Sequence, residues 1–335
     1  MTSNKVLFFC PKNTINEATE YYVDILKEAV KESGYEISQS ANFKDTKSFK
    51  NIFVMSAKWC FLVKLTNPRA NIITWFQGLG GEEALLTRNS KRDKAIWSIL
   101  EIFAIKSSWL NIYVSEEMRE YFLEKYRITD RNYFIMPCFN KELNKSSFEY
   151  PEKYDVLSFV YAGGLDKWQC IEQTLELYKK IEEKFPHASI TLLTKENQKA
   201  IELIKKYNIK NSTIKFVSLN MLNKELEQYK YGFLIRDDHI VNNVSTPTKM
   251  NSYLANGIIP IYTDVIKDFN VNFDRNSFIL LDHKGSIDNW SEQIVSSEIN
   301  TNIDIEDYRN ELYILFSKYY SRRFYIDKIL NSSIF

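Results

Sequence analysis

The chain has 335 residues, of which 44% are hydrophobic and 26% charged, and its formal net charge is +1 at pH 7. That length allows about two domains of ordinary size, each with its own core, and the near-zero charge argues against a dedicated nucleic-acid binder. Cys10, Cys60, Cys138 and Cys170 are scattered without a CxxC pair and only three histidines are present, so neither disulfides nor a zinc site is expected.

Residues 5–10 (KVLFFC) form a near-continuous apolar run that predicts a first strand buried on both faces. Residues 17–33 follow as an amphipathic helix, with Tyr21, Ile25, Leu26, Ala29 and Val30 on one face and Gly34 as its stop. Strands are expected again over 51–55 and 72–76, with 59–65 between them readable as helix or strand, and this alternation points to α/β with a parallel sheet. The loop after 72–76 runs Gln77-Gly78-Leu79-Gly80-Gly81-Glu82-Glu83. Its glycines permit unusual backbone angles, and two carboxylates stand at an expected helix start. Either this is a glycine turn with acidic capping, or its polar groups face a ligand.

Arg88, Lys91, Arg92 and Lys94 precede an apolar helix over 96–105 that contains Trp97, Ile99, Leu100, Ile102 and Phe103. A core helix with a solvated charged entry is the plainer reading, and a basic loop resting on anionic lipid is the other. A strand over 111–115, a helix over 116–126 and a short strand over 135–138 complete a first domain, taken as residues 1–150, and the polar stretch 144–154 reads as a linker.

A strand over 157–162 opens the second domain, 151–303, and runs into Gly163-Gly164-Leu165-Asp166-Lys167-Trp168-Gln169. Two glycines after a strand let the backbone approach a ligand, and Lys167 is placed to meet a phosphate. Strands over 189–194 and 213–217 follow, each leading into a helix. Residues 231–235 then form an apolar run and 236–244 a polar loop, with Thr246 as expected N-cap, Pro247 at the first helical position and Gly257 as the stop before a strand over 258–262. The free amides of Thr248 and Lys249, the hydroxyls of Ser245, Thr246 and Thr248 and the Lys249 ammonium form a set suited to a diphosphate. An ordinary capped helix with a solvated lysine is the alternative. Asp237-Asp238 offers an acidic pair, but no metal site is assigned to it. After residue 303 the chain is again expected to be helical and rich in aromatics.

The 236–261 stretch resembles the donor-binding segment of retaining GT-B glycosyltransferases of family 4, especially bacterial polysaccharide-building members, which often read R-[ED]-x-x-x-V-N-x-V-x-S-P-T-K-x-x-E-Y-L-A-x-G-x-P-V-I. Arg236, Asp237, Val241, Asn242, Val244, Thr246 to Lys249, Tyr253 to Ala255, Gly257, Pro260 and Ile261 match. The carboxylate that holds the donor ribose in the family is Ser252 here, a shorter and uncharged partner. Residues 161–169 resemble the segment Y-x-G-x-L-x-x-x-[KQ], whose common Arg is Gly164 here, leaving Lys167 as the basic candidate opposite the diphosphate. Residues 75–83 resemble W-x-Q-G-x-x-P-E-E, with Gly81 at the proline.

The resemblance implies two Rossmann-like domains facing across a cleft, with helices over 304–335 returning to the first domain. It implies a donor held by Lys249, Lys167, Gly163, Gly164, Arg236, Asn243, Ser245, Thr246, Thr248 and Ser252, with Thr194, Ser218 and Leu219 bordering the base. Gln77 and Gly78 would face the acceptor and Glu82 or Glu83 would touch its hydroxyls or the transferred sugar. The implied activity is transfer of a sugar from a nucleotide-diphosphate sugar, a UDP-sugar foremost, to a glycan or lipid-linked glycan, with retention and without cofactor or obligatory metal. No signal peptide or spanning segment is read from the sequence, so a cytoplasmic protein is expected, in peripheral contact with the anionic inner face of the cell membrane. A nucleotide-sugar epimerase or phosphorylase on the same fold, or an inactive scaffold subunit of a transferase complex, are the alternatives, the last motivated by Ser252.

Overall fold

Short apolar runs flanked by polar loops become strands of two parallel sheets, as continuous burial on both faces requires. The computed structural model describes residues 2–12, 14–274, 276–300 and 303–332. It divides into two compact units. The first comprises Met1–Asn140, Asn243–Thr246 and Ser321–Phe335, and the second Lys141–Asn242 and Pro247–Tyr320.

In the first unit the strands are β1 (Thr2–Phe9), β2 (Glu36–Ser40), β3 (Phe49–Val54), β4 (Asn71–Phe76), β5 (Leu110–Tyr113) and β6 (Tyr133–Ile135), in the order β2-β1-β3-β4-β5-β6. All pairings are parallel, with Phe8 opposite Phe53 and Phe76 opposite Tyr113. β2 carries no apolar run because it is an edge strand, half exposed along its length, and periodicity does not announce it. The ambiguous stretch around 59–65 is the helix Ala57–Thr66. Tyr22 anchors the first helix to the sheet by stacking on Trp75 at 4.0 Å and donating from its hydroxyl to the Met136 carbonyl at 2.9 Å.

The second unit holds β7 (Ser158–Ala162), β8 (Ser189–Leu193), β9 (Ser212–Lys215), β10 (Tyr231–Leu234), β11 (Ile259–Thr263) and β12 (Ile279–Leu281), in the order β12-β11-β10-β7-β8-β9. The order reverses between β7 and β10, which pair in parallel. In an open parallel sheet the crevice beyond the carboxyl ends of two such strands is where ligands bind.

Several boundaries differ from the sequence reading: the helix expected over 96–105 is Lys91–Ser107, so its basic entry is helical, and the short strand expected over 135–138 is Tyr133–Ile135. Residues 144–154 are not a free linker: they form two short 3-10 turns packed on the second unit, where the Lys153 Nζ donates to the Asn256 carbonyl and the Tyr154 hydroxyl to that of Gly257, both at 2.7 Å. Of the terminal helices, Ile305–Lys318 stays with the second unit, its Tyr308 buried and donating to the Ile258 carbonyl at 2.8 Å. Only Arg322–Asn331 joins the first unit, through an Arg322–Glu28 ion pair and a Phe139–Tyr325 ring contact at 5.6 Å. Residues 333–335 of the expected terminal stretch lie outside the described residues.

Candidate functional site

The loops after β7 and β10 meet a helix, Thr248–Ala255, at the point where the strand order reverses. Tyr253 fixes that helix. Its ring lies against the β10 backbone, so that a Cβ on Gly232 would come within 2.6 Å of it, and its hydroxyl accepts the Ala162 N–H at 3.0 Å. Gly232 is therefore required by a close approach inside a strand. The consequence is that Lys249, one turn earlier, is carried over the end of β7.

There the Lys249 ammonium sits 3.7 Å from the centroid of the Tyr161 ring and donates to Gln169 Oε1 at 3.2 Å. Arg236, buried at the end of β10, donates to the same Gln169 oxygen at 2.7 Å. The Arg236 backbone is held by Thr263, whose hydroxyl accepts its N–H at 2.9 Å and donates to its carbonyl at 2.8 Å. Gly163 has a φ of +140°, and a Cβ there would press to 3.3 Å on Lys249 Cε. Its positive φ keeps the backbone beside the ammonium free of a side chain.

Electrostatically the cluster is open. Among the described residues no carboxylate forms an ion pair with Lys249 or Arg236; both cations share one neutral amide oxygen. Burial pushes the Lys249 pKa well below the ordinary lysine value, and the nearby Arg236 charge lowers it further. Burial also lowers the Arg236 pKa. A buried arginine and a half-buried lysine without a counter-charge are costly, and a bound anion would offset that cost.

The other expected donor residues divide. Thr248 lies in the first turn and Ser252 is buried within the helix, its carbonyl accepting from Asn256 Nδ2 at 2.9 Å. Thr246 is not the N-cap. Pro247 holds that position, while the Thr246 hydroxyl accepts the Cys138 N–H at 2.9 Å within the first unit. Its oxygen is committed to that unit's backbone. Asn243 and Ser245 lie in the same 243–246 segment, whose Val244 carbonyl accepts from the Ser115 hydroxyl at 2.7 Å. Thr194 is buried, its hydroxyl accepting the Glu196 N–H at 3.2 Å; Ser218 is exposed and bonded to Asn220, and the Leu219 carbonyl accepts from Lys141 Nζ at 3.4 Å.

Lys167 is exposed on the 3-10 turn Lys167–Gln169, and no contact joins it to Lys249. The residue of this loop that reaches Lys249 is Gln169. It occupies the last position of the Y-x-G-x-L-x-x-x-[KQ] pattern, and Tyr161 the first, so both are legible in the sequence; it is this neutral glutamine, and not the nearby lysine, that reaches the ammonium. Gly164 accepts at its carbonyl from the Tyr161 hydroxyl at 2.5 Å. Beside this cluster Asp237 accepts from Gln173 at 2.8 Å, and Asp264 and Asp282 converge with His283, whose Nδ1 is 2.7 Å from Asp264 and whose Nε2 is 3.7 Å from Asp238.

In the first unit the glycine-acid loop has a different character. Glu82 is buried and meets Lys94 at 2.8 Å, Lys125 at 2.9 Å and the Tyr121 hydroxyl at 2.7 Å. Burial alone would raise its pKa, but these three partners hold it at about 2. Glu83 folds back to accept the Leu79 N–H at 3.1 Å, and burial raises its pKa. A Cβ on Gly78 would collide with the Glu83 carboxylate and one on Gly80 with Trp97. Glu82 and Gly80 are thus used in joining the helices Gly80–Arg88, Lys91–Ser107 and Glu116–Tyr126, while Glu83 and Gly78 close the N-terminus of the first of them. A substrate contact expected at Glu82 meets acceptor atoms already engaged by Lys94, Lys125 and Tyr121, whereas at Glu83 one oxygen, Oε1, accepts from the Leu79 N–H. Gln77 is exposed and donates to the Met55 carbonyl at 3.2 Å.

No described protein family matches the sequence, and no curated protein does. Solved structures match in fold. A TarM variant from S. aureus, in complex with Fondaparinux, α-GlcNAc-glycerol and UDP, aligns with a TM-score of 0.62 at 14% identity over 85% of this chain and 56% of its own. The chain thus spans little more than half the length of TarM. Sucrose-phosphate synthase from Thermosynechococcus elongatus aligns with a TM-score of 0.71 at 11% identity over 98% of both chains. HepE from Anabaena, in complex with UDP-glucose, gives 0.68 at 10% identity over 98% of this chain and 99% of its own. At such identities the likeness establishes the fold: two parallel α/β units of the GT-B type.

Proposed function

We propose that this chain is a glycosyltransferase that moves a sugar from a nucleotide-diphosphate sugar to a glycan or lipid-linked glycan. The observation that carries the reading is a pair of cations with no carboxylate partner among the described residues, the buried Arg236 and the half-buried Lys249, sharing Gln169 at the β7–β10 reversal. Their geometry suits a diphosphate, whose charge grows as the sugar–phosphate bond breaks. Cations fixed in a poorly solvated place stabilise that growing charge more than the ground state, which is the condition for acceleration. The fixed cations also supply what a divalent metal would supply at the leaving group, supporting transfer without an obligatory metal. Retention of anomeric configuration follows from the family resemblance.

UDP is the favoured nucleotide because the TarM variant and HepE were solved with UDP and UDP-glucose. A role in bacterial surface polysaccharide or glycoconjugate synthesis, at the cytoplasmic face of a membrane, belongs to the same reading. The test is thermal unfolding with UDP, GDP, CMP, ADP and dTDP. A ligand at 100 times its Kd stabilises by about 2.7 kcal/mol, so the correct nucleotide produces a visible shift. Absence of a shift with all five would favour an inactive scaffold, the reading that Ser252 motivates. Product analysis with a glycan acceptor separates transfer from epimerisation or phosphorolysis.

A further inference from the structure

One helix of the first unit carries a pattern that its core packing does not require. Lys91–Ser107 buries Glu101, Ala104 and Ile105. At about 100° per residue, Arg92, Ile96, Ile99, Phe103 and Lys106 fall on a single stripe of the opposite face. Ile96 and Ile99 are 47% and 65% exposed, and Arg92 and Lys106 are exposed at the two ends. Phe103 packs edge-on against Phe61, at 5.1 Å between ring centroids, and so ties this helix to Ala57–Thr66, which adds Leu65 at 64% exposure.

The charge of this face has one sign. Its two helices present Lys58, Lys91, Arg92 and Lys106 to solvent, while Lys94 turns to Glu82 and Lys64 to the Ala70 carbonyl, and their only carboxylates are Asp93 and Glu101, in a chain whose net charge is +1. Neither carboxylate offsets the stripe: Glu101 is buried beneath it and accepts from the Tyr126 hydroxyl at 2.5 Å, and Asp93 lies 3.4 Å from Arg88. A second apolar surface, with Tyr150, Val156, Phe216 and Met221 exposed in the second unit, lacks this asymmetry because Glu152, Lys224, Glu225 and Glu227 border it with mixed sign.

We propose that the face formed by Lys91–Ser107 and Ala57–Thr66 docks on an anionic lipid bilayer, with Ile96, Ile99 and Leu65 entering the interface and the exposed Lys58, Lys91, Arg92 and Lys106 against lipid phosphates. Apolar side chains between cations are what an interfacial helix needs, since burial of apolar area and attraction to anionic lipid act together. A second copy of the chain fits less well, because a two-fold contact would set like-charged faces against each other. The assignment concerns the first unit's surface and does not depend on the donor site being correctly read.

The test is co-sedimentation of the full chain with phosphatidylglycerol-containing vesicles and with pure phosphatidylcholine vesicles. Binding to the anionic vesicles that weakens with salt is expected, with little binding to the neutral ones. The double variant Ile96→Glu/Ile99→Glu should lower partition by at least about tenfold, whereas Phe216→Glu/Met221→Glu should leave it unchanged. Cooperative thermal unfolding verifies that each variant is folded. No binding to anionic vesicles, equal binding to both kinds, or binding unaffected by the Ile96/Ile99 variant would overturn the proposal. Concentration-dependent self-association lost in that variant, without vesicle binding, would assign the face to a second copy instead.

Discussion

The loop Gln77–Glu83 in the first unit and the β7–β10 cluster in the second are built from similar materials: glycines after a strand, charged side chains near a helix start, and aromatic neighbours. They differ in charge balance. Glu82 meets two ammonium groups and a hydroxyl and is saturated. Lys249 and Arg236 share one neutral amide oxygen, Arg236 donates besides only to the Ile235 carbonyl among the described residues, and the positive charge is left uncompensated. A polar cluster that closes on itself holds helices together, and one left open is arranged for something the protein alone does not supply. Glycine and charge content do not separate the two; the partners do.

The largest expected effect comes from removing the open charge. Lys249→Met should lower turnover on the order of 100- to 1000-fold and abolish the nucleotide-induced thermal shift. The same variant should leave the nucleotide-free protein as stable or more stable, because a costly, poorly solvated charge is gone. Since the folded-state pKa of Lys249 is depressed, the unfolded chain binds more protons there. Stability of the free protein should therefore rise with pH between that lowered value and the ordinary lysine range, and this contribution should vanish in the variant. Thermal unfolding across alkaline pH checks it.

The closed cluster should behave oppositely. Glu82→Gln should cost about 3 kcal/mol of stability, given a carboxylate held near 2 rather than 4.5, with turnover in the folded fraction almost unchanged. The stabilisation from Glu82 is fully present above the ordinary carboxylate range and is lost as the pH falls towards about 2, which acid denaturation curves of wild type and variant would resolve. A large loss of turnover in the folded variant would return Glu82 to the list of substrate contacts.

A third change converts one cluster into the other. Gln169→Glu would give Lys249 and Arg236 a carboxylate, raising the melting temperature of the free protein and weakening nucleotide binding about tenfold or more, measured by titration calorimetry. Tighter nucleotide binding in this variant would contradict the open-charge account. The smallest effect is expected from Lys167→Ala, no more than about fivefold in nucleotide affinity, since an exposed charge contributes at most about 1 kcal/mol.

Local sequence is enough for the α/β class, most strand positions and a helix around Pro247, which starts one residue later than expected, and it brings Lys249 forward as a candidate. Each rests on local information: apolar runs, a proline at a helix start, a glycine after a helix, and a contiguous motif. Which charges are answered depends on contacts between elements far apart in the chain. Glu82 is neutralised by Lys125, far along the chain, and Lys249 reaches Gln169 across 80 residues. The Thr246 hydroxyl accepts the Cys138 N–H and the helix Ile305–Lys318 stays with the second unit for the same reason. Periodicity reports which face of an element is buried, whereas the partner of a polar atom depends on which elements the fold brings beside it.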